Sequence, residues 1–237
     1  MCGRFGLLRG RGELAEEFSH LEPEFEVDEI RPRYNIAPTQ PVLTLRVDGN
    51  RVRAGHLRWG ISLPWAGERR LSQLINVRAE TALRPGWFRG LLERHRALLP
   101  ASHFYEWRTL PGRRRQPMLI GPTQGEGLVF AGLLGRWTDR ASGEIVPAVT
   151  ILTTQANQVL RPIHDRMPVI LPPTSWARWL DSGTGADEVA DLLMPCPDEW
   201  LSTRPISSLV NDVANDGPAL IEPPGTELAR EAGDQRS

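Results

Sequence analysis

The sequence predicts a globular protein that combines many short strands with a few short helices. Hydrophobic residues make up 40% of its 237 residues and charged residues 24%, which is ordinary for a folded domain. Short apolar runs separated by glycine, proline and aspartate indicate strands joined by turns. No apolar run approaches the ~20 residues of a membrane span, and the start has no signal-peptide pattern. We therefore expect a cytoplasmic protein without membrane association.

Local patterns predict the individual elements in chain order. Residues 10–18 have the spacing of a short amphipathic helix, and an Asp-Gly-Asn turn at 48–50 joins two strands into a hairpin. Asn76, Arg78 and Glu80 recur at every second position, which places them on one face of an extended segment. A helix is expected over 87–99, with Trp87, Leu91 and Leu98 facing inward. Further strands are predicted at 42–47, 51–59, 103–108, 117–120, 128–134, 146–154 and 201–206, and helical segments at 155–160, 176–180 and 186–193.

Cys2 is the first candidate functional residue. Removal of Met1 would leave Cys2 with a free α-amine beside its thiol, and an α-amine titrates near pKa ~7.8. Such an amine attacks an aldehyde to form an imine, and a thiol two bonds away can close that imine into a five-membered thiazolidine. All 28 basic residues are arginine, so imine chemistry by this chain must use the N-terminus. The alternative is that Cys2 has no functional role.

Cysteine usage and charge limit the other functions that the sequence supports. Cys2 and Cys196 are far apart and form no CxxC pair, which argues against a disulfide scaffold and against a structural zinc site. The net charge is −1, but residues 84–115 hold eight arginines and only two glutamates. This local excess is either a basic surface for phosphate groups or an arginine-rich solvated face.

Glu106 lies in the predicted strand at 103–108. Alternation places it on one face with Phe104 and Arg108, and places Tyr105 and Trp107 on the other. A carboxylate in such aromatic surroundings risks desolvation, which raises its pKa toward the range of acid/base catalysis. The alternative is an ion pair with one of the arginines.

Two further side chains allow both a functional and a structural interpretation. His164 precedes Asp165 and Arg166 in a proline-terminated loop, where it is either part of a polar site or a structural histidine. Trp65 lies at the tip of the loop that follows residue 59, where it either fills the core or stacks on an unpaired base.

Taken together, six motifs resemble the SOS response-associated peptidase (SRAP) family. They are MCGRF, RYNIAP, WG with a nearby tryptophan, NVRAET, FYEW and IHDRMP, and the resemblance runs from Cys2 to about Ile221. It implies a single α+β domain over residues 2–222, with a curved, mostly antiparallel sheet or open barrel and peripheral helices. Residues 223–237 are rich in proline, glycine and charge, which predicts a disordered tail.

The resemblance also implies a function. Members of the family capture abasic sites in single-stranded DNA covalently, with junctions between single and double strands as a candidate context. The family's catalytic residues correspond to Cys2, Asn76, Glu106 and His164, and its DNA-binding residues to Arg4, Arg78, Arg166 and Trp65. No cofactor or metal is implied, and we expect a monomer that joins the nucleoid when it is bound to DNA. The chain departs from the family at Ala66, where a second tryptophan is common, and at 210–216, which lacks a lysine.

Two other functions remain open at this point. A thiol peptidase that cleaves itself or other proteins would use Cys2 with His164 and an acid, but the sequence identifies no oxyanion hole. A non-covalent single-stranded DNA binder would not need Cys2. Within the crosslinking mechanism, an imine that undergoes β-elimination would add DNA strand cleavage as a lyase side activity.

Overall fold

The computed structural model describes residues 2–63, 73–125, 127–139 and 142–224. Within them the strands are β1 (Phe5–Leu7), β2 (Glu24–Phe25), β3 (Arg33–Ile36), β4 (Pro41–Asp48), β5 (Arg51–Trp59), β6 (Asn76–Arg78), β7 (Arg96–Ala101), β8 (His103–Thr109), β9 (Arg115–Pro122), β10 (Leu128–Thr138), β11 (Ile145–Gln155), β12 (Arg166–Pro168) and β13 (Leu201–Pro205). The α-helices are α1 (Arg11–Glu17), α2 (Ala79–Ala82), α3 (Trp87–Arg94) and α4 (Trp176–Leu180). None of the helices in the described ranges is long and apolar enough to cross a membrane.

The larger of two sheets closes into a barrel. Its strand order is β12-β11-β10-β7-β4-β5-β2, with β6 beside β11. Strand β11 also pairs with β5 in parallel, through Ala148 opposite Arg58 and Val149 opposite Trp59. This pairing joins β5, β4, β7, β10 and β11 into a five-stranded ring whose other neighbours are antiparallel. The expected α+β domain with a mostly antiparallel, curved sheet is therefore confirmed, and the β5–β11 pair closes it.

A second sheet, of order β13-β9-β8-β1-β3, packs against this barrel. Aromatic rings from the two sheets meet edge to face, with Phe5 of β1 5.2 Å from Trp59 and 5.7 Å from Phe130. Phe104 of β8 lies 5.9 Å from the same Phe130 ring. These contacts place the Phe5 and Phe104 side chains of the second sheet against the barrel.

Most of the predicted elements are confirmed. Helix α1 begins and ends within one residue of the prediction, and β4 and β5 form an unbroken antiparallel hairpin from Pro41 opposite Arg58 to Asp48 opposite Arg51. Gly49 in the turn has a φ of 61°, in the left-handed region that glycine adopts readily. Strands β8, β9, β10 and β11 and helix α4 also contain the predicted segments, and β13 ends one residue before the end of its predicted segment.

The helix predicted over 87–99 is wrong beyond Arg94. Helix α3 ends at Arg94, and β7 begins at Arg96 with every residue buried, including Leu98. Strands β4 and β10 pair with its two edges, and the unbroken burial shows that both of its faces are covered as well. A strand buried on both faces has no alternation, and a short apolar run of this kind cannot be distinguished from a buried helix by periodicity.

The extended segment predicted to carry Asn76, Arg78 and Glu80 is also partly wrong. Strand β6 ends at Arg78, and Glu80 belongs to helix α2, so the three side chains do not share one strand face. The helical segment predicted over 155–160 is the end of β11 followed by turns, and the one over 186–193 is a 3₁₀ helix, Asp187–Leu192. Strand β6 pairs with β11, and local patterns do not contain that long-range pairing.

Gly6 of β1 is expected to be intolerant of any side chain. A Cβ at this position would lie 2.4 Å from the imidazole of His103 and 3.0 Å from the carbonyl oxygen of Arg33. Gly6→Ala should therefore lower the free energy of unfolding by about 1–3 kcal/mol, because overpacking forces neighbouring groups to shift. Urea unfolding measures the effect.

Gly12 of α1 is the matched control, since a Cβ there meets no atom within 4 Å. Gly12→Ala should stabilise the protein by up to about 1 kcal/mol through helix propensity. Equal unfolding midpoints for Gly6→Ala and the unchanged protein would contradict the close approach of β1 and His103.

Candidate active site

The segment that leads into β1 carries Cys2 into the core. Strands β1 and β8 pair with Phe5 opposite Phe104, and the Tyr105 amide donates to the Arg4 carbonyl oxygen over 2.9 Å. Continuing this register by one residue beyond Arg4 and Tyr105 brings Gly3 opposite Glu106. Cys2 is fully buried among core residues, so the segment fixes both the position and the surroundings of its thiol.

Asn76 holds the backbone of Cys2 from the barrel side. Strand β6 lies along the edge of β11, with Asn76 opposite Ile151. From there the Asn76 Nδ2 atom donates to the Cys2 carbonyl oxygen over 2.9 Å. The Asn76 Oδ1 atom is buried and accepts no hydrogen bond from the described residues. The amide therefore orients Cys2 and keeps one buried acceptor beside it.

Glu106 is a buried charged group whose electrostatic effect reaches the Cys2 thiol. It is only 4% exposed, and Tyr105, the preceding residue of β8, packs into a separate apolar cluster on the other face. Burial, followed by the negative charge of Glu106, raises the pKa of the Cys2 thiol well above its usual range. At neutral pH the thiol is therefore protonated, with a buried carboxylate close by.

A buried network anchors β8 beneath Glu106. The Tyr105 hydroxyl donates to the Tyr34 carbonyl oxygen over 2.8 Å, and His103 Nε2 lies 2.7 Å from that hydroxyl. Because the hydroxyl hydrogen is already used, His103 Nε2 must donate to the Tyr105 oxygen. Burial lowers the pKa of His103 to about 4, so its imidazole stays neutral near pH 7 and this pattern is fixed.

Arg4 is held by protein groups on the opposite side of the segment. Its Nη1 atom donates to Asn35 Oδ1 and to the Val210 carbonyl oxygen, both over 2.7 Å. Its guanidinium carbon also lies 5.9 Å from the ring centre of Trp107. Arg4 is half-buried, so it reaches the surface from a braced position.

Asn35 is a positioning residue that local sequence patterns missed. It is fully buried, and its Nδ2 atom donates to the carbonyl oxygens of Asp212 and Asn215 over 2.9 and 2.8 Å. The Asp216 carboxylate accepts from the backbone amides of Tyr34 and Asn35. The segment 210–216, singled out for its missing lysine, thus braces β3 and Arg4. The asparagine within RYNIAP was the available signal, but the carbonyl groups that accept from its Nδ2 atom lie more than 170 residues away in sequence.

His164 and Arg166 enter from the loop between β11 and β12. The His164 Nδ1 atom lies 2.9 Å from the Arg166 amide nitrogen and 2.9 Å from Asp165 Oδ1. The Nδ1 atom can accept from that amide when it carries no proton, and can donate to Asp165 when it does. The Arg166 amide and Asp165 therefore hold the imidazole at its Nδ1 edge.

The Arg166 guanidinium is engaged by Glu80. Its two terminal nitrogens reach the Glu80 carboxylate over 2.7 and 2.8 Å, and Nη2 also donates to the Thr153 carbonyl oxygen. This bidentate pair lowers the pKa of the Glu80 carboxyl group through its hydrogen bond with Arg166. Arg166 is 8% exposed, so its planar fork is largely used within the protein.

Arg78 presents an exposed side chain at the end of β6, opposite Thr153 of β11. Asn76, Arg78 and Arg166 thus gather at the carboxyl end of β11, while Trp65 lies outside the described residues. Searched over the described ranges, the His, Cys, Asp and Glu side chains form no group of three or more that suits a metal ion.

Comparison with known proteins identifies the class to which this fold and site belong. Residues 1–213 match the sequence profile of the SOS response associated peptidase (SRAP) family. The chain is 38% identical over 224 residues to the abasic site processing protein YoqW of Bacillus subtilis, covering 94% of this chain and 99% of the relative. It is 32% identical to the abasic site processing protein YedK of Escherichia coli, covering 94% and 100%.

A solved structure supports the same architecture. A crystal structure of a protein from Bacteroides thetaiotaomicron superimposes with a TM-score of 0.78 at 21% identity, covering 94% of this chain and 99% of that one. The chain belongs to the SRAP family.

Proposed function

We propose that this protein processes abasic sites in single-stranded DNA by forming a covalent thiazolidine crosslink at Cys2. The observation that carries the proposal is the arrangement around that residue, where Asn76 holds its carbonyl over 2.9 Å and Glu106 is buried within reach of its charge. The relatives YoqW and YedK are named abasic site processing proteins, and an abasic site supplies an aldehyde. The mechanism requires removal of Met1, so that Cys2 carries the α-amine.

The reaction proceeds in two bond-forming steps. The neutral amine of Cys2 adds to the sugar aldehyde to give a carbinolamine, and loss of one water gives the imine. The thiol then adds across the C=N bond, with its sulfur bonding to carbon and its proton passing to nitrogen. One water is released overall, and the sugar carbon ends bonded to both the nitrogen and the sulfur of Cys2. If the imine instead loses a neighbouring sugar proton, β-elimination cleaves the strand as a lyase side reaction.

Three side chains assist these steps in the proposal. Glu106 moves protons as the aldehyde becomes an imine, because it is the buried carboxylate beside Cys2. Asn76 fixes the backbone so that the amine points consistently at the sugar. His164 assists ring opening of the sugar, since the Arg166 amide and Asp165 hold its imidazole in place at Nδ1.

The DNA strand is held by phosphate contacts and stacking. Arg78 is the exposed arginine of the proposed set, Arg4 is braced by Asn35, and Arg166 would share its guanidinium between phosphate and Glu80. Trp65 stacks on an unpaired base. The protein acts as a monomer without a cofactor, and a junction between single and double strands is a candidate context.

The thiol peptidase alternative is less well supported by the electrostatics. A cysteine peptidase needs a thiolate, which adjacent cations or helix dipoles favour by lowering the thiol pKa. Burial and Glu106 instead raise the pKa of the Cys2 thiol. A protonated thiol suits the crosslinking order, in which the amine attacks first and the thiol closes the ring afterwards.

Cys2→Ala should abolish the stable crosslink but leave an amine that still forms an imine. Borohydride should therefore trap this variant on an abasic oligonucleotide, although no adduct survives on a denaturing gel without it. Cys196→Ala is the matched control, because Cys196 is also buried but belongs to another part of the core. It should crosslink like the unchanged protein.

Two results would count against the amine mechanism. Loss of borohydride trapping in Cys2→Ala would mean that the amine is not the attacking group. A stable crosslink in Cys2→Ala would mean that another residue forms the adduct. Cleavage of casein without any gel shift would favour the peptidase.

Glu106→Gln should slow crosslinking by about 100-fold or more, because it removes proton transfer while retaining shape. Single-turnover kinetics with excess protein measure the rate, and binding to an unreactive tetrahydrofuran analogue measures affinity before chemistry, which should change little. The endpoint crosslink should still form, since Cys2 is intact.

Glu16→Gln serves as the control, because Glu16 is exposed on α1, and it should crosslink at the unchanged rate. A wild-type rate for Glu106→Gln would make Glu106 structural. A loss of analogue binding beyond tenfold would assign Glu106 to binding rather than to acid/base catalysis.

A further inference from the structure

Arg58 and Trp137 form a cation–aromatic pair on the outside of the barrel. The guanidinium carbon of Arg58 lies 3.9 Å from the ring centre of Trp137, well within the range of a cation–π contact. Both side chains are half-buried. The next residue, Trp59, is fully buried, so alternation along β5 directs Arg58 to the outer face. The pair therefore presents a flat, positively charged surface.

A shared turn links this pair to the segment that carries Cys2. Strands β1 and β3 pair with Phe5 opposite Ile36, and the turn that follows Ile36 contains Thr39. The Arg58 Nη1 atom donates to the Thr39 carbonyl oxygen over 2.9 Å. The turn thus connects the pair to the strand that lies beside the amino-terminal strand.

The pairing register along β11 gives the distance between the pair and the candidate active site. Arg58 lies opposite Ala148, and Asn76, which holds Cys2, lies opposite Ile151 on the same edge. Three residues along a strand correspond to ~10 Å. Three is an odd number of residues, so Arg58 and Asn76 lie on opposite faces of the barrel wall. A nucleic acid strand that contacts both must therefore pass from one face to the other over about this distance.

The turn itself is under backbone strain. Thr39 has a φ of 77°, a left-handed conformation that is unfavourable for a β-branched residue. It is held there by its own amide, which donates to the Trp59 carbonyl oxygen over 2.9 Å, and by Arg58. Strain of this kind concentrates at functional sites, where the surroundings enforce it.

We infer that the Arg58–Trp137 pair binds an unpaired nucleotide that flanks the abasic site on the same DNA strand. This inference rests on the proposed function. Guanidinium and indole planes both stack on bases without regard to sequence, and the guanidinium also attracts phosphate.

Equilibrium binding to trimmed oligonucleotides tests the inference. The probe is a single strand with a central tetrahydrofuran analogue, alongside versions trimmed to the nearest neighbour on the 5′ or the 3′ side. Arg58→Gln and Trp137→Leu should each weaken binding to the full probe by about tenfold, the loss of one stacking contact. On the trimmed probe that lacks the stacked nucleotide, both variants should bind like the unchanged protein.

Two controls separate binding from folding. Trp137→Leu leaves the Arg58–Thr39 hydrogen bond in place, so it tests stacking without releasing the turn. Arg178→Gln removes the same charge from an exposed arginine that pairs with Asp191, and it should bind all probes normally. Thermal unfolding of each variant checks that the fold is retained.

Variants that bind the full probe normally, or that lose affinity equally for all three probes, would overturn the inference. In the latter case the pair would only stabilise the turn. Crosslinking of the unchanged protein to a reactive abasic strand is measured in parallel. If it crosslinks while the variants bind normally, only the inference fails. If it binds the analogue with the expected pattern but does not crosslink, the proposed function fails and the nucleotide contact stands. If the unchanged protein binds none of the probes, both fail.

Discussion

Burial of the amino-terminal segment against the barrel is the constraint on which the rest of the structure depends. Phe5 packs edge to face against Trp59 and Phe130 of the barrel, and burying one such side chain contributes roughly 1.5–3 kcal/mol. With Phe5 anchored, Cys2, which lies three residues earlier in the chain, is fully enclosed. Closure of the barrel through β5 and β11 places Trp59 to receive Phe5. The position of Cys2 is therefore set by the core itself rather than by a loop.

Because the site is buried, its polar groups need hydrogen-bond partners within the protein. Asn76 satisfies the Cys2 carbonyl from one sheet, and Asn35 braces Arg4 from the other. The same burial keeps the Cys2 thiol protonated, with Glu106 adding to the effect. A protonated thiol beside a buried carboxylate favours chemistry in which the amine acts first. Fold stability and the order of the proposed reaction thus have one physical origin.

Local features of the site could be predicted from the sequence, and long-range ones could not. Alternation along a strand predicted that Phe104 and Glu106 share one face of β8 and that Tyr105 takes the other. Phe104 packs in the main core and Tyr105 in a separate cluster, in agreement with that alternation. Leu98 was placed in a helix because a strand buried on both faces has no period to detect. Glu80 was placed in a strand that ends before it. The bracing of Arg4 by Asn35 and the Val210 carbonyl joins distant parts of the chain, which no local pattern contains.

The central claim is that the nitrogen and the sulfur of Cys2 both bond to one sugar carbon, and peptide mapping of the DNA adduct tests it most directly. After reaction with an abasic oligonucleotide and nuclease and protease digestion, the account predicts a sugar fragment on the peptide that begins at Cys2, with a mass equal to the sum of the parts less one water. Alkylation under denaturing conditions should modify Cys196 but not Cys2, because its sulfur is in the ring. An adduct on another residue, or a Cys2 thiol that still alkylates within the adduct, would contradict the account.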